Sequence, residues 1–163
     1  MKRYIKSAIS SIFNESQDVR EAIAANPATG INDLMQLASD QSKYVRAKVA
    51  ANPSVTVELL RKLAEDPSNL VRCNAAMSKN TPVDLLAQLA DDTYFWVRKN
   101  VADNENSSPE TLQKLSADVD RNVRWFVARN PNTPIAALHM LLGDEDEGVQ
   151  RRAQDTIQEL GEV

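Results

Sequence analysis

Val123-Arg124-Trp125-Phe126-Val127-Ala128-Arg129-Asn130-Pro131-Asn132-Thr133-Pro134 is the stretch on which the reading of this 163-residue chain turns. Its opening dipeptide recurs at 26-residue intervals, as Val19-Arg20, Val45-Arg46, Val71-Arg72 and Val97-Arg98, and a sixth copy reads Val149-Gln150. Five equal intervals without an insertion are not a chance arrangement. A chain built this way is a solenoid in which each unit buries its apolar side only against its neighbours. Function is then expected on an extended surface rather than in a pocket.

With the valine of each copy as position 1, position 6 is alanine (Ala24, Ala50, Ala76, Ala102, Ala128) until Gln154. Leucine fills position 16 (Leu34, Leu60, Leu86, Leu112, Leu138) and position 19 (Leu37, Leu63, Leu89, Leu115, Leu141). Aspartate fills position 22 (Asp40, Asp66, Asp92, Asp118, Asp144). The breaker reads Asn-Pro at Asn26-Pro27, Asn52-Pro53 and Asn130-Pro131, and degrades to Ser78-Lys79 and Asn104-Glu105. Proline cannot continue a helix and biases its predecessor away from helical angles, so a first helix must end near position 8. Thr81-Pro82 and Thr133-Pro134 predict a hydroxyl N-cap at position 11 with proline opening a second helix, and Thr81 to Asp84 has capping-box spacing. That helix is expected to run to about position 20, with positions 13, 16, 19 and 20 (Val83, Leu86, Leu89, Ala90) on its apolar face. Nothing alternates with period two, so no strands are expected. Helices of about ten residues are marginal alone in water and persist only when adjacent copies supply the missing core. The fold class is therefore all-α, a solenoid of about five and a half two-helix repeats.

Composition narrows the function. Cys73 is the only cysteine, which excludes a disulfide framework and a multi-cysteine zinc or iron–sulfur site and points to a reducing, cytoplasmic setting. The net charge of −4 advertises no global affinity for nucleic acid. At the amino terminus Lys6 interrupts any signal-like apolar run. Ile5, Ala8, Ile9, Ile12 and Phe13 mark one face of an N-terminal cap helix over residues 1–18, ahead of five repeats over 19–148 and a closing helix over 149–163. His139 stands alone on the outer side of a second helix. The run Asp144-Glu145-Asp146-Glu147 lacks the glycine and ligand spacing of a calcium loop and suits the start of a helix. No phosphate loop, nucleophile or metal motif is present, so no catalytic residue, cofactor or metal is expected, and no membrane association.

The pattern Val-Arg-x-x-Val-Ala-x-Asn-Pro-x-Thr-Pro-x-x-x-Leu-x-x-Leu-Ala-x-Asp, nearly intact from Val123 to Asp144, resembles the leucine-rich repeat variant family. The stretch from Asp66 to Arg72 is similar to the helix entry of HEAT repeats. The resemblance covers residues 19 to 155 and implies a right-handed all-helical superhelix of the HEAT/armadillo type, acting as a binding scaffold. The chain departs from the family in two ways. Its repeat is longer by two residues, so the family's 3₁₀ helix is expected to become a second α-helix. The cysteine cluster with which one member holds an iron–sulfur cluster has no counterpart.

Arg20, Arg46, Arg72, Arg98 and Arg124 could form an anion track. The stronger reading makes them structural. Arg46 and its counterparts have an aspartate six residues earlier, such as Asp40 for Arg46, and similar pairs form ladders between HEAT-like repeats. The asparagines Asn26, Asn52, Asn104 and Asn130 are expected to satisfy backbone groups freed at the proline.

At 100° per residue, positions 26, 3, 4 and 7 of the first helix point away from the core. They carry Tyr44, Lys48, Leu70, Met77, Trp96, Lys99, Trp125, Phe126 and Arg129, the candidate partner-binding residues. In HEAT-like solenoids this helix lines the concave side, so an aromatic and apolar stripe with a basic excess is expected there. Such a stripe suits a protein partner or extended peptide of acidic character. Intramolecular packing of the same side chains between repeats is the competing reading. The alternative function is nucleic-acid binding, and Trp96, Asp103, Trp125 and Arg129 resemble the set used by HEAT-like alkylpurine DNA glycosylases. The chain's small size, acidity and short helices argue against it. A monomer is expected, with self-association open through a solenoid end or the stripe.

Overall fold

A computed structural model describes residue 12 and residues 15–161. The cap helix expected over residues 1–18 lies almost wholly outside them. Eleven helices are present among the described residues, and no strand: α1 (Gln17–Ala25), α2 (Ile31–Leu37), α3 (Lys43–Ala51), α4 (Val57–Ala64), α5 (Asn69–Met77), α6 (Val83–Leu89), α7 (Phe95–Asp103), α8 (Pro109–Leu115), α9 (Arg121–Arg129), α10 (Ile135–Leu141) and α11 (Glu147–Glu159). They form two compact units, the first ending at Asn80 and the second beginning at Thr81. In the first unit, first helices pack side by side, α1 on α3 and α3 on α5, with α2 and α4 laid against them. The second unit repeats the arrangement, with α7 on α9 and α9 on α11, and α8 and α10 against them.

The first helices before α11 are nine residues long and the second helices seven or eight, shorter than the ten expected for each. Both kinds are α-helical. The core is built from the repeating positions. Val45, Val49 and Ala50 of α3 and Leu60 and Leu63 of α4 are buried in the first unit, as are Val97, Val101, Leu112 and Leu115 in the second. Position 13 is not core: Val83 is 50 % exposed, and Ile31, Val57 and Ile135 are exposed as well. As the first residue of a short helix it projects off the end of the packed face. Position 15, filled by Leu59, Leu85 and Ala137, is buried in its place.

The second-helix cap also sits one residue later than expected. Pro82 and Pro134 are themselves N-caps, their extended backbones suiting proline, and make no side-chain capping bond. Hydroxyls cap at position 12, where Thr56 accepts from the Leu59 N–H and Ser108, followed by Pro109 as first helical residue, accepts from the Thr111 N–H. Position 11 serves the helix before it. Thr29, Ser107 and Thr133 donate to the carbonyls of Ile23, Val101 and Val127 at 2.5, 2.6 and 2.6 Å. Carbonyls left open where the first helix stops are thereby satisfied.

The arginines form a structural ladder whose direction differs from the one expected. Arg46 Nε and Nη2 donate to Asp66 Oδ2 and Oδ1 at 2.6 and 2.9 Å, twenty residues ahead, not to the carboxylate six residues behind. Arg20–Asp40, Arg98–Asp118 and Arg124–Asp144 follow the same register. Only the backbone carbonyl of the earlier aspartate is used, by Nη1, as in Arg46 to Asp40 O at 2.8 Å and Arg72 to Asp66 O at 2.9 Å. The aspartate side chain is held by its own turn: Asp40 Oδ1 accepts from the Ser42 N–H and Asp66 Oδ1 from the Ser68 N–H, both at 2.8 Å. That bond aims each carboxylate back at the preceding repeat.

The asparagine ladder is as expected. Asn52 Nδ2 donates to Ala24 O and Asn26 O at 2.7 and 2.9 Å, and Asn130 repeats this with Ala102 O and Asn104 O at 2.8 and 3.1 Å. In α11 the pattern is modified. Thr156 takes the place of asparagine and donates to Ala128 O at 2.7 Å, and the helix continues to thirteen residues. Gln150 replaces the arginine and keeps only the backward bond, to Asp144 O at 2.6 Å. Gln154, where earlier copies have a buried alanine, is exposed. Gly161, with φ of 74°, takes the left-handed conformation just past the helix end.

The ladder makes stability depend on pH. Burial pushes the Asp66 carboxyl up, but the hydrogen bond from Arg46, the Ser68 N–H and the charges of Arg46 and Arg72 more than offset this, and its pKa lies below the usual carboxylate value. Asp118 and Asp144 are lowered in the same way, by Arg98 and Arg124 as hydrogen-bond and charge partners and by the N–H groups of Asp120 and Asp146. A carboxyl with a depressed folded pKa contributes stability that is complete above its unfolded value of about 3.9 and is lost as pH falls through the folded value. The melting temperature is therefore expected to hold from neutral pH to about pH 5 and to fall below about pH 4. Thermal melts at stepped pH check this, and a melting temperature unchanged between those two values and pH 3 would contradict it.

Candidate functional site

The outward face of the second unit is laid out by the repeat. Position 26 carries Trp96, Asn122 and Gly148; position 3 carries Lys99, Trp125 and Arg151; position 4 carries Asn100, Phe126 and Arg152; position 7 carries Asp103, Arg129 and Asp155. Trp96 is 46 % exposed and Trp125 and Phe126 are half-buried, so neither tryptophan is lost to the core. The Trp125 and Phe126 rings pack edge to face with centroids 5.0 Å apart, and Trp96 lies 4.9 Å from Phe95. Two cations bracket Phe126: Lys99 Nζ stands 3.8 Å from the ring centroid and the Arg129 guanidinium 5.6 Å from it. Asp103 holds them there, with Oδ1 3.3 Å from Arg129 Nη1 and Oδ2 3.9 Å from Lys99 Nζ. Cation–ring contacts of this kind contribute about 0.5–1 kcal/mol at an exposed site, so they position the side chains more than they stabilise the fold.

The face is thus a mixture of the two readings the sequence left open. In the second unit positions 26 and 7 are open to solvent, whereas positions 3 and 4 are flanks except at Arg151: Asn100 is buried there and Lys99 is half-buried. A helical wheel treats the helix as a lone cylinder, but each first helix has another beside it that covers its flanks. At the amino-terminal end of α9, Trp125 and Asn122 also line a shallow cleft of about 300 Å³ with Gly148 and the Arg121–Asp146 ion pair.

In the first unit the corresponding residues are sparser. Tyr44 is 49 % exposed, with Lys43 Nζ 5.2 Å from its ring centroid, and Lys48 is exposed one turn further along α3. On α5, Leu70 is half-buried and Met77 is 62 % exposed. A cleft of about 390 Å³ lies between the carboxyl-terminal ends of α3 and α5, lined by Ala51, Asn52, Pro53, Asn74, Met77, Ser78, Lys79 and Asn80. Nothing in the sequence marked it, because it is formed by the small size of Ala51 and by backbone at the breaker.

No protein-family model matches the chain, and no curated protein matches it significantly. Solved structures do. An engineered protein known from a crystal structure is 20 % identical, with a TM-score of 0.54 over 90 % of this chain and 88 % of that one. The chain is a helical repeat protein. It is also similar to a leucine-rich repeat variant described as having a novel repetitive structural motif, at 22 % identity and a TM-score of 0.44, covering 92 % of this chain and 70 % of that one. A designed armadillo repeat protein is 19 % identical, with a TM-score of 0.49 over 94 % of this chain and 98 % of that one.

The remaining polar features of this repeat protein have local explanations. His139 is exposed on α10. Asp146 caps α11, accepting from the Gly148 and Val149 N–H groups, while Asp144 belongs to the arginine ladder. Arg152 pairs with Glu159 at 2.8 Å. Among the described residues no helix is long and apolar enough to cross a membrane.

Proposed function

We propose that the chain is a non-catalytic, cytoplasmic helical-repeat scaffold whose first-helix face in the second unit binds an acidic protein segment. The observation that carries this is the bracketing of the Trp125–Phe126 pair by Lys99 and Arg129 on an open face. Trp and Arg are the residues that most often dominate binding energy at interfaces, and a preordered aromatic pair loses little freedom on contact. Charge supports the same reading. Residues 81–163 are acidic overall, yet four of their six cations outside the arginine ladder, Lys99, Arg129, Arg151 and Arg152, belong to this face. Asp103 stands between Lys99 and Arg129 as an internal stand-in for a partner's carboxylate. A carboxylate already engaged by two cations is poorly suited to act as a general base, which favours binding over repair chemistry.

The test uses a labelled peptide of alternating glutamate and tyrosine, read by fluorescence anisotropy against the full chain. Trp125→Ala is expected to weaken its binding by about 2 kcal/mol, roughly thirtyfold. Because the ring is only half-buried, the same change should lower stability by no more than about 1–2 kcal/mol. Equal affinity for wild type and variant would sink the proposal. So would tighter binding to single- or double-stranded DNA that weakens steeply with salt, the mark of phosphate contacts.

A further inference from the structure

We infer that the cleft between the ends of α3 and α5 is an anchor slot for an aliphatic side chain with a carboxylate beside it, carried by an acidic segment of the kind proposed above. The slot lies where a small side chain at position 7 of one copy meets a long one in the next. Position 7 holds Met77, Asp103 and Arg129 in later copies, but Ala51 in α3, and the missing side chain leaves a recess of about 390 Å³ beside Met77. Its polar lining is already engaged. Asn52 Nδ2 is bound to Ala24 O and Asn26 O, Asn74 Nδ2 donates to Leu70 O at 2.8 Å, and Asn80 Nδ2 donates to Pro53 O and Val55 O at 3.0 and 2.9 Å. What these amides leave to an occupant is the Ala51 methyl, the Pro53 ring and the Met77 thioether, so the complementary group is apolar.

Met77 suits this role. Its side chain is 62 % exposed in a position where the later copies carry charge, and an unbranched thioether adapts its shape to an aliphatic guest. The sign of the partner follows from the surroundings. The outward positions of α3 and α5 carry Lys48 and no carboxylate, and Lys79 stands exposed at the rim. Lys48 lies three residues before Ala51, on the same stripe of α3, within reach of a carboxylate next to the anchored side chain.

The inference rests on the peptide-binding reading but is tested apart from it, by NMR of the full chain labelled at methionine methyl groups. The probes are N-acetyl-leucine, which combines an aliphatic side chain and a carboxylate, and its uncharged methylamide. The Met77 methyl, assigned with Met77→Leu, should shift saturably while those of Met35 and Met140 do not, and the acid should bind several-fold more tightly than the amide. Lys48→Gln should erase that preference. Ala51→Met places in α3 the residue the next copy carries at the same position, so the fold should tolerate it, and it should weaken binding by about tenfold or more. Three results would each overturn the slot: no Met77 shift up to the probe's solubility, equal shifts at Met35, Met77 and Met140, or Ala51→Met binding as well as wild type. Failure here with the glutamate–tyrosine peptide still bound through Trp125 removes the slot alone. The reverse outcome removes the second-unit site alone.

Discussion

Asp66→Ala is expected to destabilise the protein by about 3–5 kcal/mol, the cost of leaving one member of a buried ion pair without its partner. The Arg46 side chain is 14 % exposed and the Asp66 side chain 7 %, so water cannot replace the lost carboxylate at full strength. Two of the three guanidinium nitrogens lose their acceptor while Nη1 stays tied to Asp40 O, which keeps the charge in place. The Ser68 N–H loses its acceptor as well. Equilibrium denaturation in urea measures the loss. A deficit under about 1 kcal/mol would mean that the pair behaves as a surface ion pair despite its burial. The double variant Arg46→Met with Asp66→Leu separates charge from packing and is expected to recover most of the stability, since apolar replacements of buried pairs are often neutral or better.

Leu60→Ala is expected to cost about 2–5 kcal/mol, with the upper half of that range favoured by complete burial. Leu60 lies on α4, which packs against both α3 and α5. A cavity there is bounded by two elements already held by the ladders, and they have little freedom to close over it. Leu160→Ala is the control. Leu160 lies just past α11 and is 45 % exposed, so its loss should stay within about 0.5 kcal/mol. Similar losses at the two positions would show that the repeat interior is loosely packed.

The repeat, the helical class and the asparagine ladder were all readable in the chain, because a period that recurs five times reports positions that every copy must satisfy in the same way. The direction of the arginine ladder was not. Within a strict period, an aspartate six residues before an arginine and one twenty residues after it occupy the same position, and only the Asp40–Ser42 turn shows which way the carboxylate faces. Thr133 misled for a related reason. A hydroxyl between two prolines can serve the helix behind or the one ahead, and the open carbonyl of Val127 decides it. Spacing alone places Val83 in the core, because it cannot tell the first residue of a seven-residue helix from a middle one. At the candidate face, the helical wheel suffices to put Trp96 and Met77 outside the core, but the half-burial of Trp125 depends on the helices packed beside α9, which a wheel drawn for one helix omits.

The forward register of the ladder gives the gene a grammar. Within each unit a copy offers a guanidinium to its successor and a carboxylate to its predecessor, so the copies of a unit are joined head to tail by one rule. Excision of any 26 consecutive residues between Arg20 and Asp66 would again set an aspartate twenty residues beyond Arg20, and duplication of the same length would do likewise. Gln150 is the full stop: it retains the bond that looks back and lacks the one that looks forward, so a copy added after it would begin without its link. Growth and loss of repeats are therefore neutral to the ladder within a unit and penalised directly after Gln150. Lengthening by recombination is expected to insert copies upstream of Gln150.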